Sequence, residues 1–166
     1  MPTAHGPVDP LDGRLLATMR AHPRIGLTEL ARLLGVARGT VQARVDKLVA
    51  RGVIGDFGPT VVPAGMGYPI LAFVSLQISQ GRLREAVQAL EAVPEILEVY
   101  GTSGQADLLC RVVARSTVQL QEIIARVLAS PAVQRTDTTI ALSTQIPYRI
   151  EPLLGAAARP DPGIGS

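Results

Sequence analysis

The segment from residue 38 to residue 51, RGTVQARVDKLVAR, concentrates hydrogen-bond donors on one helix-length stretch of chain. At about 100° per residue, Val41, Val45 and Leu48 form one buried side, and the polar side chains lie around the rest of the helix. Arginine pairs with guanine, glutamine pairs with adenine, and any cation can contact phosphate. The segment therefore predicts a helix that reads DNA.

The expected roles follow from where each donor lies on this helix. Arg38, at the helix start, and Gln42 are the better base readers. Phosphate contacts are expected from Arg44, Lys47 and Arg51, with Thr28 either helping or capping the preceding helix. The complete expected set is Thr28, Arg38, Thr40, Gln42, Arg44, Lys47 and Arg51. So few base-reading groups predict modest sequence specificity, with DNA bending supplying the rest.

Two of these cations have a second interpretation that the sequence leaves open. Arg44 could pair with an acidic residue on another helix. Arg51 could interact only with the C-terminal end of its own helix.

A helix-turn-helix would position these donors. Two apolar sets at helical spacing are separated by Gly35, a residue that tolerates the left-handed conformation of a helix end. An earlier helix is expected to start near Asp9, with Pro10 in its first turn. Val53, Ile54 and Phe57 predict a short strand or wing. Residues 1–58 are thus predicted to be a winged helix-turn-helix DNA-binding domain.

Charge distribution favours this interpretation over an ordinary helical hairpin. Residues 1–55 carry eight basic and four acidic residues, for a net charge of +4, whereas residues 56–166 carry eight basic and ten acidic residues, for a net charge of −2. A basic front half and a mildly acidic back half suggest a nucleic-acid module joined to another domain.

The second domain is predicted to be ferredoxin-like. Residues 59–69 are rich in proline and glycine and are expected to form a linker. Residues 70–150 then predict strand, helix, strand, strand, helix, strand at 70–79, 82–93, 95–104, 106–114, 116–130 and 132–147, with Ser116 capping the second of these helices. The fold class is therefore α+β. Residues 151–166 form a C-terminal tail, of which 155–166 are expected to be disordered.

One face of the predicted sheet is left open by its two helices. That face is apolar at Leu71 and Phe73, and an exposed apolar sheet face favours association with a second copy. The expected state is a homodimer.

Composition argues against several other classes of protein. The lone cysteine, Cys110, lies in an apolar run, so no disulfide forms within the chain and a buried core role is expected. Apolar runs are too short for a membrane span, and no signal peptide is apparent, so a soluble cytoplasmic protein is expected. Metal-ligand clusters, catalytic residues and cofactors are not predicted.

Three stretches resemble the Lrp/AsnC (leucine-responsive, feast/famine) regulator family. PLDGRLLATMRAHPRIGLTELARLLGVARGTVQARVDKLVARGVIGDF resembles its N-terminal helix-turn-helix, GTSGQADLLCRV its second-to-third strand hairpin, and AVQRTDTTIALS its final strand. Relatives often have serine where Ala37 stands, so the usual N-cap of the recognition helix is missing here.

The resemblance implies a transcriptional regulator with a RAM-type effector and oligomerisation domain. Dimers would assemble into tetramers or octamers, and an amino-acid effector would bind near the turn between strands 2 and 3, at contacts between dimers. The implied effector residues are Gly101, Thr102, Ser103, Gly104, Gln105 and Asp107, with Thr136 and Thr138 of the last strand as weaker candidates. Backbone amides left accessible by the glycines can bind the carboxylate of an amino acid, and Asp107 can bind its ammonium group.

Three alternatives compete with an effector-gated regulator. The turn could instead be a plain hairpin, and the chain an effector-independent architectural DNA-binding protein of the same fold. Some proteins resembling this family are haem-pathway decarboxylases that use histidine in the second domain, but this chain has only His5 and His22. RNA binding on the sheet is less favoured because aromatic residues are scarce. A non-enzymatic DNA-binding regulator is the prediction.

Overall fold

The computed structural model describes residues 8–55 and 57–159, which fall into two compact units. The first unit contains the chain up to residue 59 together with a C-terminal stretch from residue 146, and the second contains residues 60–145. In chain order the elements are α1 (Pro10–Ala21), α2 (Leu27–Leu34), α3 (Arg38–Ala50), a 3-10 turn (Pro63–Met66), β1 (Ile70–Ile78), α4 (Leu83–Glu91), β2 (Ile96–Gly101), β3 (Leu108–Ala114), α5 (Thr117–Leu128), β4 (Val133–Ile140) and α6 (Glu151–Ala157).

Local signals set the ends of the first three helices. Asp9 caps α1, since its side chain accepts a hydrogen bond from the Asp12 amide at 2.8 Å. Gly35 ends α2 with a φ of 68°, as predicted. The predicted cap at Thr28 is wrong, because Gly26 is the N-cap residue of α2 and Thr28 lies inside the helix.

A small apolar core joins α1, α2 and α3. Leu15, Leu30, Val41 and Leu48 are almost completely buried there. The short strand expected at Val53, Ile54 and Phe57 does not form: in the described residues between α3 and β1, the backbone consists of turns, bends, the 3-10 turn and irregular segments.

The second unit has the predicted ferredoxin-like topology. Its four antiparallel strands lie in the order β2-β3-β1-β4. Ala72, Val74 and Leu76 of β1 point into a core that also contains Leu90 of α4 and Ile123 of α5, so both helices cover this face. The α+β fold class is thereby confirmed.

Register identifies the open face of the same sheet. Phe73 lies between Arg111 of β3 and Thr139 of β4, and residues directly opposite one another share a face. Phe73 remains 39% exposed, and Tyr100 on β2 is also exposed. This face carries both apolar and charged side chains.

The end of the second domain departs from the sequence prediction. The last strand was expected to reach residue 147, but it ends at Ile140, beyond which residues 141–150 are not strand. The prediction of disorder from residue 155 is wrong for residues 155–159, because α6 forms and belongs to the first unit. Residues 160–166 lie outside the described residues.

Two further expectations can be compared with the structure. Cys110 is 1% exposed in the core, and burial raises the pKa of its thiol to about 11, so it has the predicted core role. Among the described residues, no helix is long and apolar enough to cross a membrane.

Candidate DNA interface and effector site

The outward side of α3 presents the polar residues expected to contact DNA. Arg38, Thr40, Gln42 and Lys47 are all exposed. The Gln42 amide nitrogen donates a hydrogen bond to Asp46 Oδ1 at 2.8 Å, which orients the side chain along the helix. One of its two amide protons is thereby used, and the carboxamide oxygen and the second proton remain for a base edge.

The N-terminal end of α3 is capped by backbone alone. Ala37 has the extended geometry of an N-cap residue (φ −64°, ψ 145°), and no side chain in the described part of the chain caps this helix, as predicted. Its first turn also has no acidic residue. A helix N-terminus of this kind carries partial positive charge and amide donors, which suits an adjacent phosphate.

Arg44 points towards α1 instead of away from the domain. Its Nη1 donates to Asp9 Oδ2 at 2.5 Å and to Asp12 Oδ1 at 2.6 Å. The hydrogen bond to Asp9 lowers the pKa of that carboxyl, and the two carboxylates raise the pKa of Arg44. Asp12 is 4% exposed, so Arg44 neutralises a buried charge. The geometry favours the second interpretation of Arg44, an ion pair with another helix.

The two remaining candidates lie at the ends of the motif. Thr28 is exposed on the first turn of α2. Arg51 is half-buried and is the C-cap residue of α3, and its backbone amide donates to the Lys47 carbonyl at 3.0 Å. This position fits the alternative role of Arg51, an interaction with the C-terminal end of its own helix.

The predicted effector turn joins β2 to β3 and is held by internal hydrogen bonds. The Thr102 amide donates to the Asp107 carbonyl at 3.0 Å, and the Thr102 hydroxyl donates to the Ala106 carbonyl at 2.6 Å. Gly104 has a φ of 146°, a conformation that favours glycine.

Asp107 attaches this turn to the end of β1. Its amide donates to the Leu76 carbonyl at 2.9 Å, and its Oδ2 accepts from the Ile78 amide at 2.7 Å. Gln77 adds a side-chain hydrogen bond to the Gln105 carbonyl at 3.1 Å. None of these hydrogen bonds involves Asp107 Oδ1.

A cavity of about 510 Å³ opens beside the turn. Its lining residues are Ile78, Ser79, Gln80, Gly81, Leu83, Gly101, Thr102, Asp107 and Leu108. Gly101, Thr102 and Asp107 come from the predicted effector set. Ser103, Gly104 and Gln105 are exposed in the turn and do not belong to this lining.

The structure does not bring Thr136 and Thr138 into this cavity. They lie on β4 opposite Leu76 and Val74, on the helix-covered face, with β1 between them and the turn. Sequence reasoning missed the contribution of residues 78–83. The topology contained the signal, because β1 pairs antiparallel with β3, so the end of β1 must lie beside the start of β3.

A helix-turn-helix with an exposed polar recognition helix, joined to a ferredoxin-like domain with a small-molecule-sized cavity, defines a two-domain DNA-binding regulator. Residues 8–49 match the AsnC-type helix-turn-helix domain, and residues 71–150 match the Lrp/AsnC ligand binding domain. The chain belongs to the Lrp/AsnC family.

Two relatives match this chain over most of their length. The regulatory protein AsnC of Escherichia coli K12 is 30% identical over 87% of this chain and 97% of its own length. The HTH-type transcriptional regulator FL11 of Pyrococcus horikoshii is 30% identical over 83% of this chain and 91% of its own. Since these relatives are helix-turn-helix transcriptional regulators, the chain is a DNA-binding transcriptional regulator and not an enzyme.

Solved structures show the same fold. The structure of E. coli AsnC superposes with a TM-score of 0.81 at 30% identity, covering 87% of this chain and 99% of that one. A feast or famine regulatory protein from M. tuberculosis, complexed with L-methionine, gives a TM-score of 0.76 at 29% identity, covering 86% of this chain and 97% of that one.

Proposed function

We propose that DNA binding by this regulator responds to an amino acid, or a related small metabolite, held in the cavity beside the β2–β3 turn. The cavity is the observation that carries the proposal, because its volume of about 510 Å³ lies within the range typical of small-molecule sites. The L-methionine complex of the M. tuberculosis relative supports the same ligand class.

Cavity chemistry matches the three parts of an amino acid. Asp107 Oδ1 supplies a carboxylate oxygen for the ammonium group. Backbone amides around Gly81 suit the carboxylate. Leu83 and Leu108 provide an apolar wall for a side chain. This arrangement disfavours a ligand that carries only negative charge.

We assign DNA contacts to the exposed residues of the motif. Arg38 and Gln42 contact bases, and Thr28, Thr40 and Lys47 contact phosphates, with Arg51 as a further phosphate contact at the end of α3. Arg44 is excluded from the contact set because its guanidinium joins α3 to α1.

The proposed assembly is a homodimer formed through the open sheet face, with dimers associating into tetramers or octamers. Leu71, Phe73 and Tyr100 supply the apolar contacts on that face. In the larger assembly, the β2–β3 turns would lie at the contacts between dimers, so ligand binding would change assembly and DNA affinity together.

The test is calorimetric titration of the full chain with each of the common L-amino acids, and with the same panel on Asp107→Asn. The asparagine side chain would keep an oxygen for the Ile78 amide but remove the negative charge that an ammonium group needs. Glu122→Gln is the matched control, since Glu122 is exposed on α5 outside the cavity. We expect Asp107→Asn to weaken binding at least about tenfold, a loss of about 1.4 kcal/mol, and Glu122→Gln to leave it unchanged.

DNA binding of the same samples distinguishes an effector-gated regulator from an effector-independent one. A ligand-dependent change in DNA affinity, lost in Asp107→Asn, supports the proposal. Indifference to every amino acid with DNA binding intact would contradict it and favour the effector-independent architectural protein.

A further inference from the structure

The C-terminal helix α6 is part of the DNA-binding unit, although it follows the ligand-binding domain in the chain. β4 ends at Ile140 in the second unit, and α6 begins at Glu151 in the first. The chain therefore connects the two units twice, once before β1 and once after β4.

Helix α6 runs antiparallel along α1 and contacts it at two separate points. At one point, Arg20 Nη2 donates to Glu151 Oε1 at 2.8 Å. At the other, a Cβ placed on Gly13 would lie 2.6 Å from the Ala158 nitrogen and 2.7 Å from the Ala157 carbonyl carbon. Leu154, between these two points, packs against the core of α1–α3. The helix is thus docked along α1 by backbone contact, apolar packing and an ion pair.

The close contact at Gly13 is adjacent in sequence to the carboxylate that holds the recognition helix. Asp12, the preceding residue, is buried and accepts the hydrogen bond from Arg44 of α3. The same turn of α1 therefore receives α6 on one side and the guanidinium of α3 on another. A shift of this turn would move Arg44 with it, because leaving the buried Asp12 carboxylate without its cation is costly.

We propose that α6 is a positioning element for DNA binding: docked on Gly13, it fixes the first turn of α1 and, through Asp9, Asp12 and Arg44, the orientation of the recognition helix. The inference rests on α3 being the helix that contacts DNA. It also gives the ligand-binding domain a covalent connection to the recognition helix through residues 141–150, separate from the linker before β1.

The test uses Gly13→Ala in the full chain, with Gly155→Ala as matched control. Alanine at 13 must displace the α6 backbone, whereas a Cβ on Gly155 meets no atom of the described chain within 4 Å. Alanine has a higher helix propensity than glycine, so each substitution favours the helix that contains it. A weaker helix therefore cannot explain a loss of DNA affinity. The probe is a labelled duplex selected from a random library with the unaltered protein.

We expect Gly13→Ala to increase hydrogen exchange in residues 151–158 and to raise the DNA dissociation constant at least about tenfold, with Gly155→Ala unchanged. The fraction of protein molecules that can bind DNA is measured by stoichiometric titration with the duplex, well below the unfolding temperature. A purely structural role would lower the active fraction and leave the dissociation constant of the active molecules unchanged.

Two further measurements make the proposal falsifiable. Glu151→Arg in combination with Arg20→Glu reverses the ion pair without changing net charge, and should restore the DNA affinity lost in Arg20→Glu alone.

The proposal is overturned if the amides of α6 exchange freely in Gly13→Ala while DNA affinity is unchanged. It is equally overturned if both Gly13→Ala and Gly13→Val leave α6 protected, because the close contact would then not exist in solution. Failure of the unaltered protein to select any DNA would instead contradict the DNA-binding function.

Discussion

At the scale of single residues, the start of the recognition helix combines a functional advantage with a loss of stability. Ala37 offers no side-chain oxygen to the first turn of α3, so that turn is less stable than one capped by serine. The same turn keeps its amide donors and positive partial charge available to a phosphate. An aspartate at this position would cap the helix but repel DNA.

Ala37→Ser should therefore raise the free energy of unfolding of the helix-turn-helix unit by about 0.5–2 kcal/mol, because the hydroxyl can accept from an amide of the first turn. Urea denaturation followed by circular dichroism measures this change. Ala43→Ser is the control: Ala43 lies on the exposed middle of α3, where a hydroxyl cannot cap the helix. Equal effects of the two serines would show that α3 does not begin at Arg38.

At the scale of elements, the attachment of α3 to α1 depends on one guanidinium and two carboxylates. Arg44→Met should destabilise the first unit by about 1–3 kcal/mol at neutral pH, because the buried Asp12 carboxylate would lose its hydrogen-bonded cation. Arg14→Met, on the exposed side of α1, is the matched control and should change stability far less.

The effect should also depend on pH with a defined sign. Since Arg44 holds the pKa of the Asp9 carboxyl below its unfolded value, that stabilisation is complete above the unfolded pKa, roughly pH 4, and is lost as pH falls through the folded pKa. The stability difference between the unaltered protein and Arg44→Met should shrink in this acidic range. A difference that stays constant down to about pH 3 would contradict the ion-pair interpretation.

The elements also show which features a sequence can specify. The start of α1 near Asp9, the cap at Ser116 and the helix end at Gly35 are local signals, and all three were predicted correctly. The partners of Arg44 lie 32 and 35 residues away on another helix, so helical angles placed its side chain on a flank but could not identify the acids.

The C-terminal end of the chain was predicted wrongly for a related reason. β4 stops near Ile140 because its partner β1 begins at Ile70, and a strand without a neighbour loses its ladder. The small residues 155–158 resemble a disordered tail by composition. They form the last helical residues and the C-cap of α6 because Gly13 lets two backbones approach, a tertiary contact that local sequence does not encode.

At the scale of the whole molecule, the two faces of the sheet differ in exposure. One face is buried under α4 and α5, while the other exposes Phe73 and Tyr100 among charged residues such as Arg111. An open apolar sheet face of this kind favours association with a second copy of the chain, which is the basis of the dimer proposed above.

Phe73→Asp should therefore convert the proposed dimer to monomers, because an ionised carboxylate would have to be buried in the proposed contact. We expect the dimer dissociation constant to rise about 100-fold or more, measured by sedimentation equilibrium. Val118→Asp introduces the same charge on an exposed site of α5, on the helix side of the sheet, and should leave assembly unchanged. Phe73→Ser, with circular dichroism as a check on folding, separates loss of contact from loss of fold. Intact dimers in both Phe73 variants would place the interface elsewhere, and ligand-linked assembly would then need a different contact surface.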